Sequence, residues 1–332
     1  MKIRLIEPAP AHLHMWSYTF LPRLGLPLIG AALKAAGHDV VIYCPQFSPI
    51  DWDDLLTADL LGISATTSTA PAAYEMAARI RAHGVPTIVG GSHVTFMADE
   101  ALAHADYVAR GEGGDALMLE LIDALEGGRS LESIAGLSFT RDGVAVHNPE
   151  REVCMDLDTL PVPDLTLIAG SSEQKGTTPI MTSWGCPFGC NFCSVTAMFG
   201  RKYRYRSPEH IMAEIEAKHP RSIFFYDDNF AADKRRLKTL LRMMIASGRK
   251  IPWSAQVRTD VALDTELLEL MRDSGCDRLA LGLEPIEDHL IVDPALPVSI
   301  GRLELLDIPG RWGRIDAFGR GTVDVARMSK GR

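Results

Sequence analysis

Residues 177–205 read TTPIMTSWGCPFGCNFCSVTAMFGRKYRY, centred on Cys186-Pro-Phe-Gly-Cys190-Asn-Phe-Cys193. Half of the chain's six cysteines lie here. The apolar run Pro179 to Met181 reads as a short strand, and Gly185, Pro187 and Gly189 break it into a loop. Three thiols therefore converge on one loop just past a strand end. Structural zinc takes four ligands, usually as two separated pairs. An electron-transfer cluster also takes four cysteines, but Cys44, Cys154 and Cys276 are scattered singly. Three cysteines suit a four-iron four-sulfur (4Fe-4S) cluster with one iron open to a substrate or cofactor. The alternative is a Cys3His zinc knot completed by His210 or His219, neither at tight spacing to the loop.

This motif after a strand resembles that of the radical S-adenosylmethionine (radical SAM) superfamily. The resemblance implies a cluster on Cys186, Cys190 and Cys193, with SAM chelating the fourth iron. It implies reductive cleavage of SAM to methionine and a 5'-deoxyadenosyl radical, which abstracts a hydrogen atom. It also places Phe192, before the last cysteine, near the adenine, although Phe192 reads equally as a packing residue under the loop.

The chain has 332 residues, 46% of them hydrophobic, enough for two domains with their own cores. Its net charge of −9 and lack of a basic run make nucleic acid a poor partner. No apolar stretch approaches the ~20 residues that span a bilayer, and no signal peptide precedes the first strand. Unpaired cysteines point to a reducing cytoplasm.

The first half alternates strand and helix. Strands are expected at Lys2 to Glu7, Asp39 to Tyr43, Leu60 to Ser64, Thr87 to Val89 and Tyr107 to Ala109. Helices are expected at Leu24 to Ala36, Ala70 to His83 and, after the Gly111–Gly114 turn, to about Glu126. That pattern predicts a doubly wound, Rossmann-like parallel sheet, which binds ligands outside the carboxyl ends of its strands. The small-residue turns GISATTST (62–69), VGGSHVT (89–95) and RGEGG (110–114) fall there. With LGLPLIGAALKAAGHDV (24–40), they resemble the cobalamin-binding domain that precedes many radical SAM barrels. The resemblance implies a cobalamin site at Ser64, Thr66, Thr67, Gly90, Gly91, His93 and Thr95. On its own His93 reads as a hydrogen-bonded loop histidine. The Asp-x-His-x-x-Gly motif that supplies a cobalt ligand in other cobalamin proteins is absent, so no residue is assigned to the metal.

Residues 134–147 read as a hairpin turning at Asp142-Gly143, closing a first domain over 1–147. Residues 148–176, rich in Pro, Asp, Ser and Gly, read as a linker. A partial (β/α) barrel follows over 177–284. Its strands are expected near Pro179 to Met181, Ser222 to Tyr226, Pro252 to Val257 and Arg278 to Gly282, with a Ser207-capped helix after the cluster loop. Asp227, Asp228, Arg258 and Glu284 stand at the carboxyl ends of these strands, where a barrel places its site. The resemblance implies contact there with SAM or substrate; otherwise one aspartate caps a helix and Arg258 and Glu284 form rim ion pairs. Four strand–helix units are found where the family has six. The tail, 285–332, shows no clean repeat and is expected to be atypical or truncated.

The expected function is a cobalamin-dependent radical SAM enzyme, for instance a C-methyltransferase. A radical oxidative cyclase is the alternative, and a non-catalytic remnant that binds a cluster or cobalamin is a third reading. The expected partners are a small-molecule substrate and an electron donor such as flavodoxin or ferredoxin, without nucleic acid or membrane.

Overall fold

The computed structural model describes residues 1–9, 21–171, 176–190, 193–282 and 320–324. The chain divides into two compact units, Met1–Lys175 and Gly176–Arg332.

The first unit is an α/β sheet built as the alternation predicts. β1 (Lys2–Ile6), β2 (Asp39–Tyr43), β3 (Leu60–Ser64), β4 (Thr87–Gly90) and β5 (Tyr107–Ala109) are parallel, in the order β2-β1-β3-β4-β5. Alternate side chains of a strand point to opposite faces, and each face has a core. Ile3, Leu5 and Ile42 pack with α1 (Gly25–Ala35) and α6 (Gly114–Leu125). Ile6, Leu61 and Ile63 pack on the other face with α3 (Ala70–Arg81). Short helices α2 (Trp52–Leu56), α4 (Ser92–Phe96) and α5 (Ala98–Leu102) fill the remaining connections.

The expected hairpin is present as β6 (Leu137–Arg141) and β7 (Val144–His147). Its turn residues have φ of 50° at Asp142 and 79° at Gly143, which is the primed-turn geometry that such dipeptides favour. β6 pairs antiparallel with β5, so the hairpin extends the sheet to seven strands.

The described part of the expected linker is packed against the first unit. Asp164 donates its N–H to the Pro27 carbonyl at 3.1 Å and its carboxylate meets Lys34 at 2.9 Å. Ile168 is buried in the α1 core and bridges to Ile42. Leu167 lies so close to Gly30 that a Cβ there would meet its Cδ1 at 2.7 Å. Apolar residues spaced among the prolines explain the packing: the described part of the segment straps the first unit.

In the second unit β8 (Thr178–Ile180), β11 (Ile223–Phe225), β12 (Trp253–Arg258) and β13 (Cys276–Gly282) are parallel neighbours. α8 (Pro208–Lys218), α9 (Lys234–Ala246) and α10 (Thr265–Ser274) cover one face. Ser207 caps α8, accepting the His210 N–H at 3.2 Å. The core on that face centres on Phe225 stacked on Phe230 at 4.3 Å, with Trp253 edge-on to both. On the other face Phe224, Tyr226, Ser254 and Arg258 are only half-buried and Gln256 is exposed. Within the stretch expected to carry no further repeat, β14 (Arg320–Asp324) pairs antiparallel with β13.

Candidate functional site

The cysteine loop leaves β8 and is closed at its base by a two-stranded ribbon that the sequence did not suggest. β9 (Ser183–Trp184) pairs antiparallel with β10 (Arg204–Tyr205), and the short helix α7 (Ser194–Phe199) lies between them. Gly185 opens the loop with φ 79°. A Cβ on it would stand 2.8 Å from the Lys202 carbonyl oxygen, so only glycine lets the two arms of the loop meet. Its N–H bonds to the Asp228 carboxylate.

All three loop thiols are free and partly exposed. Burial pushes the Cys186 thiol up, while the Phe188 N–H and the Asn229 amide, both bonded to its sulfur, act in the opposite sense. Arg258 Nη1 reaches Cys190 Sγ at 3.9 Å. N–H groups aimed at the Cys186 and Cys190 sulfurs are the kind of outer hydrogen bond that a metal-bound sulfur accepts, so the donor set fits a cluster. A zinc knot fits less well. Among the described residues no three His, Cys, Asp or Glu groups gather around one point, whereas cluster thiolates bind separate irons. α8 also runs back from the loop, carrying His219 at its end to the opposite edge of the sheet, where Arg249 meets it at 3.4 Å.

The two adjacent aspartates part company. Asp227 continues the helix-facing parity of Ile223 and Phe225 and is 5% exposed. It accepts the Thr182 N–H at 3.0 Å, the Ser183 hydroxyl at 2.6 Å and the Thr182 hydroxyl at 3.1 Å. Burial pushes its carboxyl up to about 6, against these donors and Arg236. Its oxygens are taken up by Thr182 and Ser183, just past the end of β8, on the side of the sheet opposite to the face where contact with SAM is expected. Asp228 has the opposite parity and turns toward the half-open face, beside Cys186; burial raises its carboxyl and the Gly185 N–H lowers it. Arg258 is on that face too. Its Cζ lies 4.1 Å over the Phe188 ring, and its contact with Asp260 is a long 3.9 Å. Phe192 and Glu284 lie outside the described residues.

In the first unit the expected cobalamin residues share the carboxyl edge of β3 and β4. Ser64 and Gly90 are paired strand ends. Ala65 N–H bonds to Gly90 O at 2.7 Å, and His93 N–H to Ala65 O at 3.2 Å. Gly91 has φ 109°, and a Cβ there would be 2.5 Å from Ala65 O. Thr66 donates its N–H to Thr69 Oγ1 at 2.9 Å, and the Thr95 hydroxyl bonds to Gly91 O at 2.9 Å. These bonds fix the two turns against each other and leave Thr67, Ser68, Gly91 and Gly111 exposed along the rim. A rim of small and hydroxylated groups fits a large flat ligand. His93 is engaged within it, with Nδ1 3.3 Å from Thr67 Oγ1 and Nε2 3.4 Å from Glu100.

Comparison with known proteins agrees with both halves. Residues 17–119 match the B12 binding domain model and residues 180–298 the radical SAM superfamily model. An uncharacterized methyltransferase, PH0819, of Pyrococcus horikoshii is 30% identical over 310 residues, covering 88% of this chain and 67% of the relative. The anaerobic magnesium-protoporphyrin IX monomethyl ester cyclase of Synechocystis is 28% identical, covering 80% of this chain and 57% of the cyclase. The chain thus spans between about half and two thirds of the length of such relatives. Among solved structures, the cobalamin-dependent SAM radical enzyme OxsB, with aqua-cobalamin and SAM bound, superposes with a TM-score of 0.71 at 20% identity. It covers 85% of this chain and 44% of its own, and shows the same fold. The order of the two matched domains along the chain and the likeness to the Pyrococcus relative place the chain in the radical SAM superfamily, in the branch that carries a B12-binding domain.

Proposed function

We propose that this chain supports radical-initiated transfer of a methyl group to a carbon atom of a small molecule. Cys186, Cys190 and Cys193 hold the 4Fe-4S cluster, Asp228 and Arg258 face the SAM side of it, and the β3 and β4 turns hold cobalamin. When bound, the cluster supplies one electron for SAM cleavage and the cobalamin supplies the methyl group. The observation that carries the reading is the cysteine loop itself: three free thiols on a ribbon-closed loop at the carboxyl end of β8, beside a half-open sheet face. The chain's own groups do three things there. Gly185 and the ribbon fix the loop, Asn229 and Arg258 donate toward its sulfurs, and the aromatic rings of Phe224 and Tyr226 line the face on which a substrate would lie.

Such a reaction needs a one-electron donor, for which a flavodoxin or ferredoxin is the natural class. Cysteines that form no disulfide among the described residues and an oxygen-sensitive cluster suit the cytoplasm. No helix among the described residues is long and apolar enough to cross a membrane. A second reading, oxidative ring formation, draws on the likeness to the cyclase.

The test is anaerobic reconstitution followed by absorption spectra with and without SAM and hydroxocobalamin, then turnover with SAM carrying a deuterated methyl group. A cluster spectrum, cobalamin uptake and 5'-deoxyadenosine release with dithionite support the reading. Deuterated methyl in the product favours methylation, and loss of hydrogens without it favours cyclisation. Stoichiometric zinc without iron would reject both.

A further inference from the structure

We propose that Arg258 sets the reduction potential of the cluster by presenting a fixed guanidinium to the Cys190 sulfur. The inference rests on the cluster reading above. It departs from the expected role of Arg258 at SAM by assigning the residue to the cluster's electron affinity.

The geometry has three parts. Arg258 ends β12 with the parity of Ser254 and Gln256, which aims it at the half-open face. Its Nη1 is 3.9 Å from Cys190 Sγ. Its Cζ lies 4.1 Å over the ring of Phe188, a residue of the same loop two positions before Cys190, so the platform under the guanidinium moves with the sulfur. The neighbouring carboxylate does little to neutralise the cation. Asp260 stands 3.9 Å from Nε and is itself held by Lys234 at 2.9 Å.

A guanidinium stays charged under all working conditions. When a cluster takes one electron from an external one-electron reductant, no bond forms or breaks, and the cluster with its thiolates becomes more negative by one charge. A fixed cation with an N–H toward one sulfur stabilises that reduced state more than the oxidised one, which raises the potential. The ring holds the planar fork in place. A lysine would bring a hydrated point charge with no such stack.

The experiment is a redox titration of the reconstituted full chain followed by electron paramagnetic resonance, first without SAM and then with it. Iron and sulfide are counted in each sample. Arg258→Met should lower the ratio of reduced to oxidised cluster about tenfold at a fixed solution potential, equivalent to a fall of ~59 mV for one electron. Arg258→Lys and Phe188→Leu, which keep the charge but release the fork, should each move it several-fold in the same direction. A fully loaded cluster whose potential is unmoved in all three variants overturns the inference. So does an unmoved potential with tenfold weaker SAM binding, which would return Arg258 to the SAM site. Failure of the unaltered chain to assemble a cluster would instead remove the cluster reading, and this inference with it.

Discussion

Asp227 and Arg236 hold Thr182 between them. The Asp227 carboxylate accepts the Thr182 N–H at 3.0 Å and its hydroxyl at 3.1 Å, while Arg236 Nη2 donates to the Thr182 carbonyl at 2.9 Å. Arg236 Nε also donates to the Arg206 carbonyl at 3.0 Å. Thr182 enters the cysteine loop and Arg206 leaves it, so one buried arginine on α9 ties both arms. Arg206 is itself buried and paired with Glu214 of α8. The loop's position is thus fixed by a buried polar framework around its base, and such a framework is costly to leave half-satisfied.

Asp227→Asn should change how stability depends on pH. The carboxyl lies at about 6 in the folded chain against an ordinary 3.8. The folded state therefore holds the proton more tightly, so stability falls as pH rises between these values and the full penalty is present above about 6. The gap between these two values sets an upper bound of ~3 kcal/mol. Asparagine keeps a carbonyl oxygen for the Thr182 N–H, and Arg236 keeps its carbonyl partners. Urea unfolding at pH 4 and pH 7 should show the variant gaining on the unaltered chain by up to that amount. A difference that stays flat, or moves the other way, would mean that the donors around Asp227 outweigh its burial.

The parallel α/β sheet, the hairpin turn and the cysteine loop were legible because each has a local signal: alternation, Asp142-Gly143 and cysteine spacing. The roles of Asp227 and Asp228 were partly legible. Carrying the parity of Ile223 and Phe225 two residues further puts Asp227 on the helix side and Asp228 on the open side. The β9–β10 ribbon was not legible, since two-residue strands carry no period. Nor was the Arg236 framework, because a basic residue in the first turn of a helix ordinarily reads as exposed. The strap over 157–171 was not legible because Pro161, Pro163, Asp158 and Asp164 punctuate it like a loop, while apolar side chains between them, among them Leu165, Leu167 and Ile168, decide where it packs.

Replacing any of Cys186, Cys190 or Cys193 by Ser should abolish cluster assembly, read as loss of about four iron and four sulfide per chain after anaerobic reconstitution. Burial pushes the thiols of Cys44 and Cys276 well above the ordinary range. They behave as small apolar residues, so Cys→Ala at either should leave iron content unchanged. Cys154→Ala should do the same. Iron lost equally in all six variants would mean that folding, not ligation, was being measured.

Gly185→Ala should both strain the backbone and separate the loop arms. A residue with a side chain at positive φ costs on the order of 1–3 kcal/mol, and here the new methyl also meets the Lys202 carbonyl. Gly143 is the control, with the same φ of 79° and nothing within 4 Å of the place a methyl group would take. Gly143→Ala should show only the backbone cost in thermal unfolding and full iron loading. Gly185→Ala should lose more stability and load less iron. Equal behaviour of the two would show that the close approach of Gly185 to Lys202 does not shape the loop.

Gly91→Ala tests the rim of the first sheet. The added methyl would stand 2.5 Å from Ala65 O and 3.0 Å from Ala65 N, the two atoms through which the β3 turn meets Gly90 and His93. The turns must then part, and the exposed line of Thr67, Ser68 and Gly91 is lost. Uptake of hydroxocobalamin in equilibrium dialysis should fall at least about tenfold, while iron and sulfide, which belong to the other unit, stay as they were. His93→Ala should be far milder. The histidine side chain is 13% exposed and its ring faces Thr67 and Glu100, so its removal loosens the turn without vacating a contact surface. Two results would overturn this account: unaltered uptake by Gly91→Ala, or loss of uptake in His93→Ala together with a changed visible spectrum of whatever cobalamin remains bound. The second would make His93 a ligand of the cobalt, released from Glu100 when the cofactor arrives.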